Sequence, residues 1–167
     1  MDICTQDGNG FFAANRVIAG CGFRTVVDTG VRCYPIGRDG NEVENPAADT
    51  YPSIAGGQSV VNLERSTELI LRSGTFYTVC AGSMGIGLPG FGELYGSSHL
   101  ILEGDTVVTG LVSGTTNDAR GIQDGDALIE IRGGTLHGKV QLFSSAGFRG
   151  ASAEAELRIT GGTFAPG

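Results

Sequence analysis

The sequence predicts an all-β fold, a parallel β-solenoid, and three observations carry the prediction. First, Thr75 in LILRSGTF, Thr106 in LILEGDTV, Thr135 in IEIRGGTL and Thr163 in LRITGGTF share one eight-residue frame, at steps of 31, 29 and 28 residues. Second, apolar residues occupy the same places in each frame: Leu69, Leu100, Ile129 and Leu157 six before the threonine; Leu71, Leu102, Ile131 and Ile159 four before; Phe76, Val107, Leu136 and Phe164 one after. Ile70, Ile101, Glu130 and Arg158 alternate with them, followed by Arg72, Glu103, Arg132 and Thr160, which is the period of two of a strand with one buried face. Third, the stretches between frames, such as SMGIGLPGFGELYG and FSSAGFRGAS, are too rich in glycine for helices. A strand and small-residue turn recurring at 20 to 50 residues mark a solenoid or propeller. Helical repeats are thereby excluded, and leucine-rich repeats lack their Asn or Cys ladder here. Each unit is expected to make one coil, with equivalent positions stacked about 4.8 Å apart.

Taken in order, residues 1 to about 50 read as an irregular N-terminal cap or degenerate coil. They hold the strand-like runs RVIAG and RTVVD, then GRDGNEVENPAADTYP, whose Asn, Asp, Gly and Pro mark turns. Residues 51 to 167 read as the repeat proper. SVVNL, SHLIL, ALIEI and AELRI are strand signals; TVCAG, VTGLV and KVQLF supply a second strand per unit, and helix content is expected to be very low. On the outward face, Arg72, Glu103 and Arg132 alternate in sign from unit to unit, a register-setting ladder, and Glu130 with Arg158 repeats the device one column over.

From about Tyr51 onward the units LRITGGTF, IEIRGGTL and LILRSGTFYTVCAG, with YPSIAGG ahead of them, resemble the glycine-rich right-handed parallel β-helices of pectate-lyase-like architecture in bacterial and archaeal surface adhesins. The resemblance implies a right-handed β-helix and a structural or adhesive role at a cell surface.

Composition sets the remaining bounds. The 167 residues suit one domain, and 40% hydrophobic residues argue against disorder. Glycine, at 29 residues, follows no collagen period. A net charge of -7 disfavours nucleic acid and anionic membrane as partners, and no apolar run is long enough for a membrane span. The N-terminal MDICTQDGNGFF has no secretory signal, and the last unit breaks off at Gly167. The expectation is therefore a mature chain or excised piece whose open last coil is completed by missing residues or covered by another subunit. Cys4, Cys21, Cys33 and Cys80 fit either disulfides in the cap or buried thiols; no C-x-x-C favours a metal.

VVDTGV, Val26 to Val31, matches the aspartic protease signature, but its supporting elements are missing, which leaves a strand ending in an Asp-Thr-Gly turn. Polysaccharide lyases and hydrolases need clustered or paired carboxylates; Asp105, Asp118, Asp124 and Asp126 fall in turns, and His99 and His137 read as surface or groove residues. Ice binding would need two adjacent threonine ranks. The loop from Ser83 to Gly96 carries Met84, Ile86, Leu88, Phe91 and Tyr95 among glycines and reads as folded over the core or as a contact surface. The expectation is a non-catalytic extracellular structural or adhesion module without catalytic residues, metal or cofactor. Its partners would be other subunits or the rest of a longer chain, with glycans as a further class. The second expectation is a filament or phage-tail-like subunit stacking end to end.

Overall fold

The computed structural model describes residues 2–3, 17–35, 39, 41–58, 62–84, 93–115, 123–143 and 153–165. They are all-β. The strands are β1 (Asp2–Ile3), β2 (Val17–Ala19), β3 (Thr25–Val27), β4 (Ser53–Ala55), β5 (Thr67–Leu71), β6 (Thr75–Cys80), β7 (Ser98–Leu102), β8 (Val107–Ser113), β9 (Ala127–Ile131), β10 (Thr135–Leu136), β11 (Lys139–Gln141), β12 (Ala155–Ile159) and β13 (Thr163–Phe164). Among the described residues, helix is confined to one 3₁₀ turn at Ala48–Thr50, and no helix is long and apolar enough to cross a membrane.

Two sheets hold these strands, in the orders β1-β3-β5-β7-β9-β12 and β2-β4-β6-β8-β10-β13, with β11 also on β8. Every pairing between named strands is parallel. Along the chain, strands fall alternately in the first and second sheet, β10 and β11 counting together. The sheets reach back into residues 17–35, where β2 and β3 pair in line with the later strands.

The register places like on like. Leu69, Leu100, Ile129 and Leu157 form one column of the first sheet, and Val27, Leu71, Leu102, Ile131 and Ile159 form the next. Opposite them stand the columns Ile54–Val79–Val112–Val140 and Phe76–Val108–Leu136–Phe164. Away from the last strands these side chains are almost wholly buried, in one continuous core. At the far end Ile159 and Phe164 are each 51% exposed; among the described residues no strand lies beyond β12 and β13.

One frame of the sequence is displaced. The column containing Thr75, Thr135 and Thr163 is completed by Val107, not Thr106, and Val108 takes the core place expected for Val107. The turn from Leu102 to Val107 holds one residue more than its counterparts from Leu71 to Thr75 and from Ile131 to Thr135. Thr106 is the extra residue: it is buried, and its hydroxyl donates to the Glu103 carbonyl at 3.0 Å, closing the longer turn. The other turns end in Gly74, Gly134 and Gly162, at φ of 93°, 84° and 98°. Only glycine adopts this left-handed backbone without strain, which is why G-T recurs in the sequence.

The outer face of the first sheet also departs from simple alternation. Val26, Ile70 and Ile101 point away from the core yet are 6%, 5% and 7% exposed, forming a second small cluster. They lie between the rows Arg24–Glu68–His99 and Asp28–Arg72–Glu103, in which the stems of Arg24, Glu68, Arg72 and Glu103 are long enough to lie over apolar surface with their charged heads in water.

Two substitutions test this packing. Leu102→Asp puts a carboxylate in a fully buried column and is expected to abolish the cooperative unfolding transition, whereas Leu102→Ala should cost about 2–5 kcal/mol in urea denaturation. A folded Leu102→Asp protein would mean the column is wrongly placed. Gly138 lies so close to the strand beneath that a Cβ would meet the Gly110 carbonyl oxygen at 1.4 Å. Gly138→Ala should therefore lower stability by about 1–3 kcal/mol, and an unchanged unfolding midpoint would refute the contact.

Candidate functional site

The densest chemistry lies on the outer face of the first sheet and on the glycine-turn corner beside it. Because the strands are parallel and in register, equivalent residues of neighbouring strands form rows across the sheet, and the sequence sets opposite charges next to one another. Arg72 Nε is 2.9 Å from Glu103 Oε1, and Arg132 Nη1 is 3.8 Å from Glu103 Oε2. The structure thus brings Arg72, Glu103 and Arg132 together. It adds Asp28, whose Oδ1 is 3.2 Å from Arg72 Nη1. VVD at Val26 to Asp28 stands in the frame of ILR at Ile70 to Arg72, so this rung was readable once the two runs were aligned.

The neighbouring column differs from expectation. Arg158 stands beside Glu130 in register but holds Glu156 of its own strand, with Nε 2.6 Å from Oε1. Glu130 is engaged by Arg132 at 3.0 Å and by His99 Nε2 at 2.8 Å. The physical reason is geometric: residues two apart on one side of a strand are as reachable for a long guanidinium as the rung below. His99, read from the sequence as a surface or groove residue, is thereby a member of the network.

The charge environment follows. Hydrogen bonds from Arg132 first and His99 second hold the Glu130 carboxyl below the ordinary range. The Thr29 backbone N–H, then Arg72, lower Asp28. Arg158 lowers Glu156, and Glu103 with Asp28 raises Arg72. The carboxylate of Asp28, set aside in the sequence as a protease motif, closes a turn and completes an ion pair.

Cys21, Cys33 and Cys80 form no disulfide, and Cys4 lies outside the described residues. Burial pushes the Cys33 thiol up to about 12, against a backbone hydrogen bond at Thr75, so it is protonated and unreactive at neutral pH. Cys80 is buried, and its thiol donates to the Thr115 carbonyl at 2.7 Å. Of the expected contact loop, Met84 is half-buried and Tyr95 is 41% exposed, its hydroxyl donating to Glu93. Ile86, Leu88 and Phe91 lie outside the described residues. No group of three or more His, Cys, Asp or Glu side chains among the described residues is placed to hold a metal ion.

Beside the ladder runs a groove that the sequence did not reveal, since one wall comes from the aperiodic segment 31–51. One part is a cleft of about 420 Å³ bordered by Arg32, Tyr34, Glu44, Asn45, Tyr51 and Thr75. A cleft of about 230 Å³ shares Arg32, Cys33 and Thr75 with it and reaches Asp105. From Asp105 a third, of about 510 Å³, continues past Gly134 and Thr135 to Gly162 and Thr163. The glycine turns leave this corner open. The threonine rank along it is interrupted by Val107.

No family model, no curated protein and no solved structure matches this chain.

The lowered carboxyls fix the sign of a pH effect. Groups whose folded value lies below the unfolded value of about 4 stabilise the fold above that pH and cease to do so as pH falls through the folded value. The urea midpoint should be flat from about pH 7 to 5 and decline below about pH 4, and Glu130→Gln should make the decline shallower. A midpoint of either protein that holds at pH 3 would contradict the network.

Proposed function

We propose that the chain is a non-catalytic, right-handed parallel β-helix that serves as a structural and adhesion module of a cell-surface protein. The observation that carries this reading is the strict alternation of strands between two parallel sheets, each ordered as the sequence is ordered, with the core positions of the first sheet recurring every 28 to 31 residues from Leu69 onward. A chain wound in this way builds a rod whose length grows with each unit and whose sides stay free for contact. The resemblance of LRITGGTF and IEIRGGTL to adhesin repeats supports the surface role. A structural role is also supported by the carboxylates themselves: Asp28, Glu103 and Glu130 are occupied in ion pairs or hydrogen bonds that cross between neighbouring strands, and Glu156 in a pair within its own strand.

A second reading is a subunit that assembles end to end: parallel strands paired in register, as in both sheets, can add the strands of another copy in the same way.

Sedimentation over a range of concentrations separates the two. The adhesion module is expected to remain monomeric, and antibody raised against it should label intact cells of its source. Growth with concentration that Ile159→Asp abolishes would replace this reading with the filament. Labelling only after cell lysis would end the surface role.

A further inference from the structure

We propose that the cleft between segment 42–46 and the turn corner at Thr75 is a binding site for a neutral glycan chain. This deepens the adhesion reading, on which it rests, by naming the site and the ligand class.

A sugar ring offers an apolar C–H face and a rim of hydroxyls, each both donor and acceptor. A site for it therefore needs flat apolar surface with donors and acceptors placed around it. The cleft supplies both. Tyr34 and Tyr51 are the aromatic residues on its border, the Arg32 guanidinium covering one face of Tyr34; Arg32 donates, Glu44 accepts, and Asn45 does both. Its volume, about 420 Å³, falls within the ordinary range for small-ligand sites.

Part of the wall is fixed in advance. The Arg32 guanidinium lies 4.7 Å from the centroid of the Tyr34 ring and donates to Glu42. Side chains already held by one another lose less freedom when a ligand arrives. The loop behind them is closed by a hydrogen bond from the Val43 N–H to the Pro35 carbonyl at 3.1 Å.

The charges decide against an anionic polymer. Arg32 is matched by Glu42, which leaves Glu44 in the cleft and Asp105 further along the groove, on a chain of net charge -7. Uronates and phosphates would meet repulsion at Glu44 and at Asp105. The groove also decides for a chain over a single sugar. The two adjoining clefts carry it along the stacked turns, from Thr75 past Asp105 to Thr135 and Thr163, in steps of about 4.8 Å per strand.

The test uses the whole purified chain and tetrasaccharides of glucose, mannose, galactose and N-acetylglucosamine, with tetragalacturonate as the anionic probe. Binding is followed by saturation-transfer NMR and calorimetry, and folding of each variant by circular dichroism. At least one neutral tetrasaccharide is expected to bind saturably. Tyr51→Ala and Glu44→Ala should each weaken it about tenfold or more, while Tyr51→Phe and the distant Arg158→Ala leave it within about twofold. No neutral binding, binding of tetragalacturonate alone, or binding that ignores both Tyr51→Ala and Glu44→Ala would overturn the proposal. None of these results would touch the structural reading, which the sedimentation and cell-labelling results decide.

Discussion

Parallel, in-register stacking constrains every other feature of this chain. A strand placed one residue out of step would turn its aliphatic side chains from the core to the solvent, so each unit must enter its sheet at a fixed position. Leu71 on Val27, Leu102 on Leu71 and Ile131 on Leu102 satisfy that demand on one side, and Val79, Val112 and Val140 on the other. The connections between strands vary more than the columns: the units differ in length, and their loops differ in composition.

The outer face is a consequence of the same rule. Once like positions stack, a repeated charge would stack on itself, and the sequence alternates Asp28, Arg72, Glu103 and Arg132 instead. The ladder has a second use. Its stems, with those of Arg24, Glu68 and His99, flank Val26, Ile70 and Ile101 and keep these aliphatics from water. The face is thus laminated by apolar contact beneath a charged skin, and its dependence on pH arises in the skin.

The columns of the first sheet were legible in the sequence because alternation and spacing survive in five-residue strands. The second sheet was harder. Its strands are short where β10 and β11 break around His137 and Gly138, and Thr106 mimicked the recurring threonine while occupying a turn. An insertion of one residue inside a motif preserves the letters and moves the structure, and no spacing argument within that frame detects it. His99 and Glu130 belong to different columns, and their pairing depends on side-chain reach across the sheet. The Tyr34–Tyr51 cleft had no signal at all, since segment 31–51 has no period and its walls meet only when the chain folds back on Thr75.

The contact between Gly138 and Gly110 has a further meaning for the array as a whole. Repeats are often treated as interchangeable bricks, yet here one backbone rests directly on another at a place where neither can carry a side chain. The unit below offers Tyr77 at the corresponding bend, with its ring against Gly110. Each layer is shaped by the layer it sits on. The units therefore have addresses, and an array made by duplicating or reordering them would mismatch at its seams even if every core column were kept.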